Sequence, residues 1–167
     1  MKGLQRRGPM SHAASACPPL AWLAMFVCAF ATAAEPSTPA RRSYVVDGDT
    51  IATSLTGQRG DAASGAQLIQ QRQKSLCVLC HAGPFPEPHL QGTLAPDLTG
   101  VGARLSAAQL RLRIVAMKRM NPQSIMPSYY AVVPDSAALR VSRAWHGKPI
   151  LNAAEIEDLV AYLQTLQ

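Results

Sequence analysis

Residues 77–81 are Cys-Val-Leu-Cys-His, and this stretch determines how the rest of the chain is interpreted. Two thiols three residues apart on a turn can each form a thioether with one vinyl group of the same porphyrin. The histidine that follows can then present its imidazole to the iron. The motif therefore predicts one covalently attached haem c, held by Cys77 and Cys80, with His81 as an axial ligand of the iron.

Residues 1–34 have the pattern of a cleavable export signal. Residues 1–16 are basic and polar, residues 20–34 are apolar, and the small residues at the end allow cleavage after Ala33 or Ala34. An uncleaved anchor helix is the alternative, but the apolar run is shorter than the roughly 20 residues that a membrane span prefers. We therefore predict a mature protein in the periplasm, with no membrane anchor after cleavage.

Three other interpretations of the motif remain open but are weaker. A structural zinc site needs four ligands, usually from a second Cys or His pair, whereas His89 and His146 are isolated in the sequence. A thioredoxin-like redox pair is expected in a βαβ unit, but Pro/Gly-rich loops surround this motif. A chance occurrence is the third, although cleavage would remove Cys17 and Cys28 and leave both remaining cysteines inside the motif. The mature chain would then have no disulfide framework.

The charge of the chain does not indicate a nucleic-acid partner. The 167 residues include 16 Lys+Arg and 10 Asp+Glu, a formal charge of +6. Three of the basic residues lie in the leader, which contains no acidic residue, so residues 35–167 carry an excess of only +3. A net charge this small produces no large electrostatic field of one sign around the protein. Among the basic residues, a cluster on the second predicted helix is interpreted as a solvated face: Arg111, Arg113, Lys118 and Arg119.

The mature chain is predicted to be an all-α haem domain with an extension. Residues 35–60, rich in Pro, Ser, Thr and Gly, are predicted to form an extended N-terminal arm, and residues 61–167 the haem domain. Long Pro/Gly-containing loops are expected at residues 82–105 and 121–151. Few aromatic residues follow the leader, so the apolar core is small for loops of this length. A large buried cofactor is expected to complete that core.

Three segments carry an N-capping residue followed by apolar residues at helical spacing. They begin after Asp61, Ser106 and Asn152, and the first is predicted to run from residue 62 to about residue 74. The third residue after Ser106 is Gln and the third after Asn152 is Glu, which is the pattern of a capping box. We therefore predict three helices.

The haem iron needs a second axial ligand or an open site. Met126 lies in a Ser-Ile-Met-Pro loop, 45 residues after His81, where a loop can carry its side chain across the haem face and Pro127 stiffens the backbone. We predict Met126 as the ligand. A His/Met pair leaves no open position, which indicates electron transfer rather than oxygen chemistry. Four other candidates remain: Met117, Met120, His89 and His146.

The order of these elements resembles the class I cytochrome c family. Residues 96–104, Pro-Asp-Leu-Thr-Gly-Val-Gly-Ala-Arg, are similar to the run that follows the haem site in that family. The resemblance implies that the Pro96 carbonyl accepts the Nδ1–H of the proximal histidine, and that Arg104 meets a haem propionate. It also implies a close crossing of the first and last helices, with Gly65 and Tyr162 at the contact.

The chain also resembles a narrower family, the SoxX subunits of SoxAX cytochrome complexes of sulfur-oxidising bacteria. The similar segments are residues 92–102, 124–130 and 147–163. The resemblance implies a heterodimer with a SoxA-like subunit and transient contacts with the carrier protein SoxYZ and a soluble cytochrome c. It also implies that thiosulfate chemistry takes place on the partner, a thiosulfotransferase, so that this chain has no catalytic residues and accepts electrons.

The alternative is a free-standing periplasmic cytochrome c that acts as a diffusing electron shuttle. The arm and the Gly-Lys-Pro-Ile-Leu loop at residues 147–151 favour a subunit, because a permanent partner needs additional surface. Trp145, next to this loop, is interpreted as a core residue or as a contact with a partner.

Overall fold

Four α-helices and two short 3-10 turns form the regular structure of the computed structural model, which describes residues 43–132 and 146–167. Within those ranges there is no β-strand, only two isolated bridges. The all-α class is therefore confirmed. The predicted leader and Trp145 lie outside the described residues. The helices are α1 (Ala62–Leu68), α2 (Val101–Arg104), α3 (Ala107–Met120) and α4 (Ala153–Leu163).

The three predicted N-caps are all present. Asp61 Oδ1 accepts a backbone N–H from the first turn of α1 at 2.6 Å. Ser106 and Gln109 form a reciprocal capping box at the start of α3, with N···O distances of 3.0 and 3.3 Å. Asn152 and Glu155 form the same arrangement at the start of α4, with both distances 3.0 Å. Caps are local interactions, so the sequence spacing was sufficient to locate these helix starts.

Helix α1 ends at Leu68, earlier than the predicted end near residue 74, and that prediction was wrong. The backbone carbonyl of Gln71 accepts the N–H groups of Lys74, Ser75 and Leu76, which closes a turn in place of further helix. Leu76 then adopts a left-handed φ of 61° immediately before the motif. Helix α2 was not predicted; it begins after Gly100, whose φ is 66°.

Helices α1 and α4 cross in close contact at Gly65. A Cβ atom on Gly65 would lie 2.0 Å from the backbone oxygen of Asp158 and 2.8 Å from Cβ of Tyr162. Only glycine allows the two backbones to approach in this way. The predicted contact of Gly65 with Tyr162 is confirmed.

The described part of the N-terminal arm, residues 43–60, packs on the helices without forming one itself. Ile51 is 1% exposed and Leu55 is 2% exposed. The Ile51 N–H donates to the carbonyl of Ala108, at the start of α3, at 3.0 Å. No helix within residues 43–132 and 146–167 combines the length and apolar character needed to cross a membrane.

The predicted solvated basic face is wrong for one of its four residues. Lys118 and Arg119 are exposed and Arg113 is half-buried, but Arg111 is only 6% exposed and pairs with Glu157. A guanidinium enters a protein interior when a carboxylate and further acceptors meet it there. Its partner lies 46 residues away in sequence, so helix periodicity alone could not reveal the pair.

Candidate haem site

A cavity of about 640 Å³ lies between the Cys-Val-Leu-Cys-His loop, the segment after it, α3 and α4. Five of the six predicted site residues line this cavity, and Cys80 does not. The volume falls within the roughly 300–1,000 Å³ typical of cofactor sites. Apolar side chains form most of the wall, among them Ile69, Leu98, Val101, Leu110, Ile114, Leu159 and Leu163.

The motif itself forms a 3-10 turn over Cys77–Leu79. The Cys77 carbonyl accepts the N–H of Cys80 at 3.1 Å and that of His81 at 2.9 Å. The turn places all three functional side chains on one short loop, in which both cysteines are half-buried. Burial raises the pKa of the Cys77 thiol.

His81 is oriented by a backbone carbonyl, as the resemblance implied. Its Nδ1 lies 2.7 Å from the Pro96 carbonyl oxygen, and because a carbonyl can only accept, Nδ1 carries the proton. In the neutral imidazole with this tautomer, the lone pair that a metal binds is on Nε2. The segment around Pro96 is held in turn by the Ala95 N–H, which donates to the Cys80 carbonyl at 2.9 Å.

Arg104 lies at the cavity wall, where its guanidinium donates to two backbone carbonyls. Nη1 is 2.5 Å from the Thr99 oxygen and Nη2 is 3.1 Å from the Asp97 oxygen. Asp97 accepts the Thr99 N–H, and this hydrogen bond, with the nearby Arg104 charge, lowers the pKa of its carboxyl. These bonds fix the position of the guanidinium at the wall. The contact with a propionate stays a prediction.

Met126 lines the cavity that His81 also lines. Its loop is shaped by a turn in which the Ser124 N–H donates to the Asn121 carbonyl at 3.0 Å, and Ser124 Oγ accepts the Met126 N–H at 3.2 Å. Among the other candidates within the described residues, Met117 lines the cavity too, whereas Met120, His89 and His146 do not. Met126 stays the predicted axial ligand, with Met117 as the one alternative on the wall.

Tyr129 is a residue of the wall that was not among the predicted site residues. Tyr129 is 3% exposed, lines the cavity and donates its hydroxyl to the Ser75 carbonyl at 2.5 Å. The only signal in the sequence was the Tyr129-Tyr130 pair three residues after Met126, and aromatic pairs commonly indicate core packing alone.

The residues present fit a covalently bound porphyrin. The cavity has cofactor size and an apolar wall, with one thiol on the wall and the second on the adjoining turn. The imidazole of His81 and the thioether sulfur of Met126 would offer the nitrogen and sulfur donors that a haem iron accepts. The arrangement is suited to holding and insulating a redox group.

Comparisons with known proteins agree with this chemistry. The family model described as "Cytochrome c" matches residues 62–167. Among solved structures, a chain of SoxXA from P. pantotrophus shares 35% sequence identity with a TM-score of 0.64. The match covers 74% of this chain and 93% of that one. No curated protein matches the chain.

Proposed function

Because this chain belongs to the cytochrome c family, whose haem c is covalently bound and whose function is electron transfer, we propose that it is the SoxX-like subunit of a thiosulfate-oxidising complex. The observation that carries the proposal is the match to SoxXA at 35% identity over 93% of that chain. A likeness of this extent reaches well beyond the motif that every c-type cytochrome shares.

Six residues would hold and tune one haem. Cys77 and Cys80 would carry the thioether bonds, and His81 and Met126 would be the axial ligands. Pro96 supports this role for His81 by accepting its Nδ1–H at 2.7 Å. Arg104 would meet a propionate at the cavity wall. The bound haem supplies one-electron transfer, and a His/Met pair keeps solvent and small molecules from the iron.

The thiosulfate chemistry would take place on a SoxA-like partner. Joining thiosulfate to a cysteine of the carrier protein SoxYZ releases two electrons, which this chain would accept and pass singly to a soluble cytochrome c. Leu94 and Ile125 are apolar, line the cavity and are each 70% exposed, and we expect contact with other proteins at these two positions. The complex would work in the periplasm after removal of residues 1–34.

Co-expression with a SoxA-like subunit from the same organism tests the proposal. We expect the two chains to elute together from a size-exclusion column at moderate salt. We also expect thiosulfate to reduce the haem only when both subunits and the carrier protein are present. Elution of a lone monomer beside a folded partner would favour the free-standing shuttle.

A pair of matched variants locates the contact. Ile125→Lys places a charge at the cavity wall, whereas Val45→Lys places one at a position that is 81% exposed and does not line the cavity. We expect Ile125→Lys to weaken electron exchange with a partner and Val45→Lys to leave it unchanged. Equal behaviour of the two variants would argue against contact at this wall.

A further inference from the structure

Tyr129 joins the loop that carries Met126 to the loop that carries the haem-binding cysteines. Its hydroxyl donates to the Ser75 carbonyl at 2.5 Å, and Ser75 lies two residues before Cys77. We propose that Tyr129 is a positioning residue that locks these two loops together and thereby keeps Met126 at the iron. The proposal rests on haem attachment and Met126 ligation, and is independent of the partner subunit.

The backbone of Tyr129 is fixed from two other directions. Its N–H donates to the Ile114 carbonyl on α3 at 3.1 Å, and its carbonyl accepts the N–H of Leu151, just before α4, at 3.0 Å. Tyr129 is therefore tied to α3, to the segment before α4 and to the motif loop. Because Tyr129 is anchored on three sides, it stays in place more firmly than the loop residues before it.

The Ser75 carbonyl, which accepts this hydrogen bond, is also held in place. Ser75 is fully buried, and its Oγ lies within hydrogen-bond distance of the Ile69 carbonyl at 3.2 Å and the Gln71 carbonyl at 3.3 Å. Leu76 holds a left-handed φ of 61°, which a residue with a branched side chain adopts only where its surroundings impose it. The hydroxyl of Tyr129 thus bonds to a carbonyl that cannot follow a moving loop.

The hydrogen bonds that Ser124 and Met126 make stay within the Met126 loop and do not tie it to the helices. Residues 121–123 and Ile125 are exposed, and Ile125 is 70% exposed. An exposed loop opens at low cost unless a buried contact holds it. Burial raises the pKa of Tyr129, so its hydroxyl remains a donor across the physiological pH range.

Tyr129→Phe keeps the ring and removes only the hydroxyl. We expect the variant to retain haem on a denaturing gel and to keep the ferric sulfur-to-iron charge-transfer band at neutral pH. Its association constant for imidazole, which must displace the methionine, should rise about fivefold, the effect of one net hydrogen bond. Tyr162→Phe is the matched control. Tyr162 lies on α4 and does not line the cavity, and its ring packs against that of Phe85, with the ring centroids 6.4 Å apart.

An unchanged imidazole constant in Tyr129→Phe, or an equal rise in both variants, would overturn the proposal. If Tyr129→Phe does not fold, proton NMR of the reduced wild-type protein decides. A slowly exchanging Tyr129 hydroxyl proton with a cross-peak to Ser75 or Leu76 is expected, and a rapidly exchanging one contradicts the lock. Absence of the charge-transfer band from the wild type would overturn Met126 ligation and this proposal together, but not the result of co-elution with the SoxA-like partner.

Discussion

Arg111 and Glu157 form a bidentate ion pair in the interior, with Nε to Oε1 at 2.7 Å and Nη2 to Oε2 at 2.8 Å. Their side chains are 7% and 2% exposed. The same two groups bind the N-terminal arm: Arg111 Nη1 donates to the Ile51 carbonyl at 2.6 Å, and Glu157 Oε1 accepts the Leu55 N–H at 2.8 Å. The pair therefore joins α3, α4 and the arm, and the described part of the arm is integral to the fold.

Glu157→Ala is expected to lower the free energy of unfolding by about 3–5 kcal/mol, because it leaves the buried charge of Arg111 unpaired. It also leaves the buried N–H of Leu55 without its acceptor. Urea unfolding followed by far-ultraviolet circular dichroism measures the loss. Lys74→Met is the control, since the Lys74–Glu155 pair is more exposed, 40% and 20%, and such pairs contribute at most about 1 kcal/mol. Similar losses in the two variants would contradict the structural role of the buried pair.

The local features of this fold could be predicted from sequence, whereas the long-range ones could not. The caps at Ser106 and Asn152 depend on residues three positions away, and their helix starts are confirmed. In the sequence, nothing distinguishes Arg111 from the other charged residues of its helix. Only the fold brings Glu157, 46 residues later, into contact with it. For the same reason the motif predicted Cys77 and His81 at the site, while the bond between Tyr129 and Ser75, 54 residues apart, was missed.

Gly65→Ala is expected to destabilise the protein even though alanine favours a helix by about 1 kcal/mol. The new Cβ would lie 2.0 Å from the Asp158 carbonyl oxygen, so α1 must move away from α4. We expect a loss of about 3 kcal/mol in thermal or urea unfolding, the upper end of typical overpacking costs. Gly48→Ala, at φ 53° with no atom within 4 Å of the new Cβ, tests backbone strain alone and should cost about 1 kcal/mol. A smaller loss in Gly65→Ala than in Gly48→Ala would exclude the tight crossing.

Replacing both Cys77 and Cys80 by alanine is expected to abolish covalent haem attachment. The haem stain of the denatured protein on a gel should disappear. The chain should then be poorly folded, because a bound group stabilises the folded state that holds it. Without haem, nothing would fill the 640 Å³ cavity. Stain that survives in the double variant would refute the assignment of the motif.

Asp61→Asn is expected to change how stability depends on pH. The backbone N–H of Ser64 donates to Asp61, and this hydrogen bond lowers the pKa of the carboxyl in the folded state. A lowered pKa contributes stability that is present above the unfolded pKa of about 4 and is lost as pH falls through the folded value. Asparagine still accepts the hydrogen bond but carries no charge to interact with the helix dipole. The advantage of the wild type in urea unfolding should therefore be present at pH 7 and shrink below pH 4. A difference that stays constant down to pH 3 would contradict this origin.

Met126→Ala is expected to leave the haem attached and to open the sixth position of the iron. The thioether bonds lie on the other loop, so the gel stain should persist. The ferric protein should lose its sulfur-to-iron charge-transfer band and bind cyanide and imidazole readily, and its reduction potential should fall without the methionine ligand.

Two further methionine variants decide whether the loss is specific to Met126. Met120 is 38% exposed and does not line the cavity, so Met120→Ala should leave the band intact. Met117 lines the same cavity, at the end of α3 that follows the non-helical Ala116. Met117→Ala should therefore perturb packing while keeping the band. If the band instead survives in Met126→Ala and disappears in Met117→Ala, the sulfur ligand comes from helix α3 and the Met126 loop serves only to cover the haem.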